Sequence, residues 1–409
     1  MREWVCKNKI MNVDGVNKCN AYLYFPLKYN LCDNIYYELL FRIMLNCNKK
    51  YPKHTIYRDE YRKYYILNYD IKLQIFEDML YVVVYFSLPK DGLIDNFSYE
   101  SSLKFIYESL MNPVLDGFQF NYEKDFLLSE EDGFPRNIGA YIKEKFYNFV
   151  DSKEEFHIRE EEYIKKVKGI TPNDLVRYYN NAIFNNKFFY VLSGDFKNDD
   201  SFIKTFKSIF TNFNDNIKFK CSYPKYLTLD GYKEGMINSK YDQSVEFIAY
   251  QFKNYSYKDI LMFDVIYSFL VGQENNLVFN NLRIKNNLVY NCSVIDNNGC
   301  LAIVAFFNDS YKDKVEECII KLMSELDNEE LFNKCMNKLI KATKYNNLDH
   351  LDGKYHKVND YIHVHVMHSF YPLDIVKAYS NITYEDYHKF ISRMVLSHKY
   401  YIKGGSSNE

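Results

Sequence analysis

Runs of aromatic and β-branched residues between turn formers predict strands over 21–26, 64–68, 80–88, 188–193, 245–252, 288–294, 300–307 and 398–403. Longer stretches with apolar residues at helical spacing predict helices over 34–47, 98–111, 122–130, 138–149, 174–184, 258–270, 277–285, 312–326, 329–346 and 385–395. The two kinds of element mix without a strict strand–helix–strand rhythm. This predicts an α+β class, an antiparallel-rich sheet with helices on one face.

One pattern occurs twice. Ile170-Thr171-Pro172-Asn173-Asp174-Leu175 leads through Arg177-Tyr178-Tyr179 to Phe189-Tyr190-Val191-Leu192-Ser193-Gly194. Ile382-Thr383-Tyr384-Glu385-Asp386-Tyr387 leads through Lys389-Phe390-Ile391 to Tyr400-Tyr401-Ile402-Lys403-Gly404. Thr171 and Thr383 read as helix N-caps, with Asp174 and Asp386 as their partners three residues on. A unit recurring at half the chain length means a duplicated domain, because solenoid repeats are far shorter. The expected domains are 1–205 and 222–409, joined by a polar segment rich in turn formers.

A chain of 409 residues suffices for two such domains. With 52 basic against 54 acidic residues, net charge gives no electrostatic case for nucleic acid or an anionic membrane. The 41 Tyr and 32 Phe fit an A+T-rich coding genome better than a special aromatic function. Nine cysteines, an odd number without a CxxC, fit reduced thiols and a cytoplasmic protein. No apolar run follows the N-terminus as a signal peptide requires, and none reaches the length of a membrane span.

Candidate chemistry concentrates in 277–294. A helix, an Asn286-Asn287 turn and a strand place Arg283 on the last helical turn and Tyr290 early in the strand. A guanidinium and a phenol there could hold a peptide carbonyl, or Arg283 could cap the helix while Tyr290 packs. His363, His365 and His368, with His350 and His356 upstream, form a second candidate group. On a strand the first two would share a side and could ligate zinc given a third ligand, on a helix His365 and His368 could share a face, and plain surface histidines are the simpler reading.

The 277–294 segment resembles the helix–turn–strand of the insulinase-type (M16) metallopeptidases. There an Arg and a Tyr seven residues apart bind substrate; Arg283 and Tyr290 match, with Lys285 and Leu288 in register. Asp242–Tyr250, Asn112-Pro113 with Phe120–Lys124, and both copies of the repeat are similar to further segments of that family, in order along nearly the whole chain. Lys49-Lys50-Tyr51-Pro52 after the 34–47 helix is similar to the bacterial two-domain subunits that work as pairs.

Active members carry an inverted zinc motif, HxxEH, on the first long helix and a distal Glu. The resemblance aligns that pentad with Glu38-Leu39-Leu40-Phe41-Arg42, and no HxxEH occurs anywhere in the sequence. Glu123 and Glu130, near the distal position, are then expected to be helix-surface carboxylates. The family's glycine-rich loop corresponds to Leu270–Asn276, where only Gly272 remains. The resemblance therefore implies a noncatalytic, substrate-binding subunit of a heterodimeric zinc peptidase that processes short peptides, with the leader of a ribosomally made peptide as one candidate substrate. It binds no metal itself. Zinc and the catalytic residues would come from an HxxEH-bearing partner. The other reading is a peptide-binding or architectural protein with no role in proteolysis.

Overall fold

The computed structural model describes residues 2–28, 30–76, 79–132, 138–151, 157–214, 216–221, 226–227, 231–297, 299–367 and 372–405. The strands are β1 (Arg2–Cys6), β2 (Lys9–Asn12), β3 (Lys18–Lys28), β4 (Asn68–Phe76), β5 (Met79–Pro89), β6 (Phe189–Gly194), β7 (Ile217–Cys221), β8 (Lys233–Asn238), β9 (Ser244–Phe252), β10 (Asn291–Asn297), β11 (Cys300–Phe307) and β12 (Met394–Lys403). They build two five-stranded sheets, ordered β2-β6-β3-β5-β4 and β8-β12-β9-β11-β10, and a small β1-β7 pair. In the first sheet only β2 and β6 run parallel, and in the second only β8 and β12. Strand for strand, the second half repeats the topology of the first. The α+β class and the duplication read from the sequence are both present.

The repeated units are built alike. Thr171 and Asp174 form a reciprocal capping box, and so do Thr383 and Asp386. Each Asp carboxylate accepts from the backbone N–H and hydroxyl of its threonine, which holds its pKa below the usual value. Replacing either threonine by Ala should lower stability by about 1 kcal/mol, read as a lower denaturant midpoint. An unchanged midpoint in both variants would show that the boxes do not anchor these helices.

The compact units are interleaved along the chain. The first comprises 1–133, 158–223 and 354–367; the second comprises 134–157, 224–353 and 368–409. Most helices cover one face of their own sheet. The second face of each sheet carries a segment from the opposite half of the sequence. In the second unit Ile142, Phe146 and Val150, from the Ile138–Val150 helix, pack on Val245, Phe247, Ala302 and Val304. In the first unit Val358 and Val366 pack on Tyr24, Tyr81, Val83 and Phe189. Cover on both faces explains why every residue of β9 is buried.

Some elements differ from expectation. Residues 64–67 are not a strand: Tyr64 caps the His54–Lys63 helix, Tyr65 is left-handed at φ 51°, and β4 begins only at Asn68. The last helix ends at Ile391, and β12 has started by Met394. The short edge strands β2 and β8 alternate too few apolar residues to stand out in the sequence. Among the described residues no helix is long and apolar enough to cross a membrane.

Candidate functional site

The Asn34–Asn46 helix carries the segment aligned with the zinc motif. Its buried side holds Leu39, Leu40 and Ile43, and Phe41 joins them in the core. Glu38 and Arg42, one turn apart, share the other side at 3.8 Å. The Tyr163 hydroxyl donates to Glu38 at 2.9 Å, and the Arg42 guanidinium stands 5.4 Å from the centre of the Phe126 ring.

Phe126 lies on the neighbouring Gly117–Asp132 helix, as do Gln119 and Glu123. Glu123 is not the surface carboxylate expected from helical charge patterning. It is buried, and its Oε1 accepts from Asn46 Nδ2 at 2.9 Å and Gln119 Nε2 at 2.8 Å. Two neutral amides turn it inward and replace the water it would otherwise hold. Sequence reasoning missed Gln119, one turn before Glu123, and Asn46, 77 residues away, since uncharged amides give no charge-pairing signal. Glu130 lies outside the described side chains. The next residue, Lys124, donates to Lys168 O and Ile170 O, both at 2.8 Å. That seats the start of the Thr171 unit, and burial lowers the pKa of the lysine.

Zinc needs His, Cys or carboxylate ligands converging at about 2.0–2.3 Å. Here a guanidinium and a phenyl ring occupy the face, and the buried carboxylate is taken by two amides. These residues do not fit the metal. Among the described residues no group of three His, Cys, Asp or Glu could hold one. His363 and His365 fall on a π-helical turn, Ile362–Val366, instead of a strand. Two residues apart on a helix they point to opposite sides, and His365 packs on Tyr361 with ring centres 4.8 Å apart. His368 lies outside the described residues.

The helix–turn–strand of the second unit is tightly built. The helix starts at Leu277 and widens to a π turn over Asn280–Lys285. Asn287 is left-handed at φ 50°, a conformation Asn tolerates. The strand begins at Asn291, later than expected, because Leu288 N still donates to Leu282 O at 2.9 Å. Arg283 Nη1 donates to Val289 O at 2.6 Å and Asn287 Oδ1 at 3.3 Å. The guanidinium thus ties the helix end to the residue before Tyr290. Tyr290 N donates to Phe306 O at 2.7 Å, which fixes its backbone against β11 while its side chain stays 53% exposed. The adjoining Gly272 loop is closed by Asn275 N and Asn276 N, which donate to Gly272 O at 3.0 and 2.8 Å. A Cβ at Gly272 would fall 2.4 Å from Ser268 O, so this surviving glycine is required by close backbone approach.

The chain thus combines two homologous α+β units, a first long helix that carries Glu38 but no His or Cys beside it, and an Arg–turn–Tyr element in the second unit. Residues 169–339 match the family model described as "Peptidase M16 inactive domain", consistent with a resemblance to M16-like homologues of that inactive kind. No curated protein matches it in sequence. Among solved structures it is similar to a conserved protein of Enterococcus faecalis, at 14% identity and TM-score 0.78, covering 98% of this chain and 96% of that one. It is similar to the peptidase M16 inactive domain from Pseudomonas fluorescens, at 12% identity and TM-score 0.67, covering 100% and 99%. It also resembles the periplasmic protease PqqL of Escherichia coli, at 11% identity and TM-score 0.65, covering 97% of this chain but 46% of that one. At these identities the likeness is one of fold.

Proposed function

We propose that this chain is the noncatalytic, substrate-binding subunit of a heterodimeric zinc peptidase acting on short peptides. The observation that carries the reading is the braced turn, in which the Arg283 guanidinium holds the carbonyl of Val289, the residue before the exposed Tyr290. The guanidinium and the Tyr290 phenol both donate hydrogen bonds suited to a peptide carbonyl. A partner bearing HxxEH supplies zinc and the general base. The eight described cysteines that form no disulfide support a reducing, cytoplasmic setting. A second reading, a peptide-binding or architectural protein without a part in proteolysis, is favoured by one contact. Arg283 already spends a donor on Val289 O, as a purely structural arginine would.

The test is co-expression with an HxxEH-bearing protein encoded beside it. The pair should co-purify and cleave peptides, with zinc retained by the partner. The isolated chain should hold no stoichiometric zinc after mild chelation and cleave nothing. One tightly held zinc per isolated chain with chelator-sensitive cleavage would overturn the proposal. Failure of any such partner to associate would favour the second reading.

A further inference from the structure

On the helix-covered side of the second sheet, near its β8 edge, lies a cavity of about 240 Å³ lined by Glu234, Met236, Glu246, Lys312, Lys399 and Tyr401. Strand register assembles it. Glu246 of β9 stands opposite Tyr401 of β12, which stands opposite Met236 of β8. Two residues along, on the same side, Lys399 stands opposite Glu234. Glu246 is 2% exposed, and its Oε2 has no hydrogen-bond partner among the described residues. A buried carboxylate oxygen without a donor is costly.

The wall lysines are engaged elsewhere. Lys399 is paired with Glu316. Lys312 Nζ lies 3.9 Å from the other oxygen of Glu316 and 5.1 Å from the centre of the Tyr401 ring. The Tyr401 hydroxyl is bonded to Asp309, and the Tyr232 hydroxyl donates to Glu234 at 2.9 Å. Glu246, and the remaining capacity of Glu234, are thus the open acceptors of the cavity. A hard metal ion would need several oxygen ligands, and two lysines stand where further carboxylates would have to be. A cation that carries its own N–H donors meets both requirements.

We propose that this cavity binds a guanidinium or primary ammonium group on an alkyl stem, the head donating to Glu246 and Glu234 and the stem lying along the exposed Met236. The source is an arginine or lysine side chain of a peptide, or a free organic amine. The site is separate from the Arg283 turn and stands whether or not the chain serves a peptidase. Burial pushes the Glu246 carboxyl up to about 7, against the pull of Lys312 and Lys399 and with help from Glu234 and Asp313. The charged or titratable groups around it are Tyr232 just before β8, Glu234 on β8, Lys399 and Tyr401 on β12, Asp309 in the turn before the Lys312–Ser324 helix, and Lys312, Asp313 and Glu316 on that helix. The carboxyl is mostly neutral below about pH 7 and anionic above it, so cation binding strengthens as pH rises through neutrality.

Calorimetric titration with agmatine and with Nα-acetylarginine N-methylamide tests this. Both probes should bind the wild-type chain about tenfold more tightly near pH 8 than near pH 6. Glu246→Gln should abolish binding while melting cooperatively, and Lys312→Met, which removes a competing cation, should strengthen it. Glu234→Gln, on the exposed edge strand, should weaken binding several-fold and covers the case in which Glu246→Gln does not fold. Tighter binding of the acetylated amide points to a peptide side chain, and tighter binding of agmatine to a free amine. Either preference supports the site. No saturable binding near pH 8, binding independent of pH, or binding unchanged by both glutamine variants would overturn the proposal.

Discussion

Phe146→Ala should destabilise the second unit by about 3–5 kcal/mol, although Phe146 belongs to the first half of the sequence. Phe146 is 1% exposed and stacks on Phe247 at 4.4 Å with the rings 6° from parallel. Deleting the ring removes its apolar burial and leaves a cavity under β9 that a strand bonded on both sides cannot collapse to fill. The fall should appear in the far-UV circular dichroism midpoint. The single tryptophan, Trp4, lies on β1 in the first unit, so its fluorescence reports that unit. A loss confined to the second unit would leave the Trp4 transition behind the dichroism transition. A variant with a wild-type midpoint would show that the Ile138–Val150 helix adds little to the core beneath the second sheet.

In the heterodimeric peptidase proposed above, Tyr290→Phe combined with Arg283→Ala should reduce peptide processing by at least about a hundred- to thousand-fold, the roughly 2.7–4 kcal/mol that a single lost oxyanion donor costs. The loss falls on kcat if the pair meets the scissile carbonyl, because the charge there grows only in the transition state. It falls on KM if the pair holds substrate backbone elsewhere. Arg283 also braces its own turn through Val289 O, so Arg283→Ala alone mixes substrate contact with local loosening. Tyr290→Phe removes only a hydroxyl and separates the two. Wild-type kinetics in the double variant, with partner association intact, would show that both residues are structural and would favour the architectural reading.

What could be read in the sequence follows what is local. The capping boxes at Thr171 and Thr383 and the strands over 80–88 and 300–307 rest on neighbours a few residues away, and all are present. The apolar stripe of 138–149 announced a helix but not its sheet. Amphipathicity states that a face must be covered and not by what. Glu123 was misplaced for a related reason: its donors are neutral, and one is 77 residues away. Glu246 did leave a trace, a single carboxylate inside the apolar run Val245–Phe252. The Arg283–Tyr290 element was recognised by resemblance. Its internal brace, from guanidinium to Val289 carbonyl, depends on the left-handed Asn287, which spacing alone does not reveal.

The crossing of segments between halves has a consequence for synthesis on the ribosome. The back of the first sheet, with Tyr24, Tyr81, Val83 and Phe189, is complete in sequence once β6 has emerged. Its cover, Val358 and Val366, is translated far later, and Tyr81 donates to the Val366 carbonyl at 3.3 Å only then. At about 5–20 residues per second the delay is roughly ten to thirty seconds. For that time the nascent chain presents an uncovered aromatic sheet face, the kind of surface that chaperones bind and that aggregates when they do not.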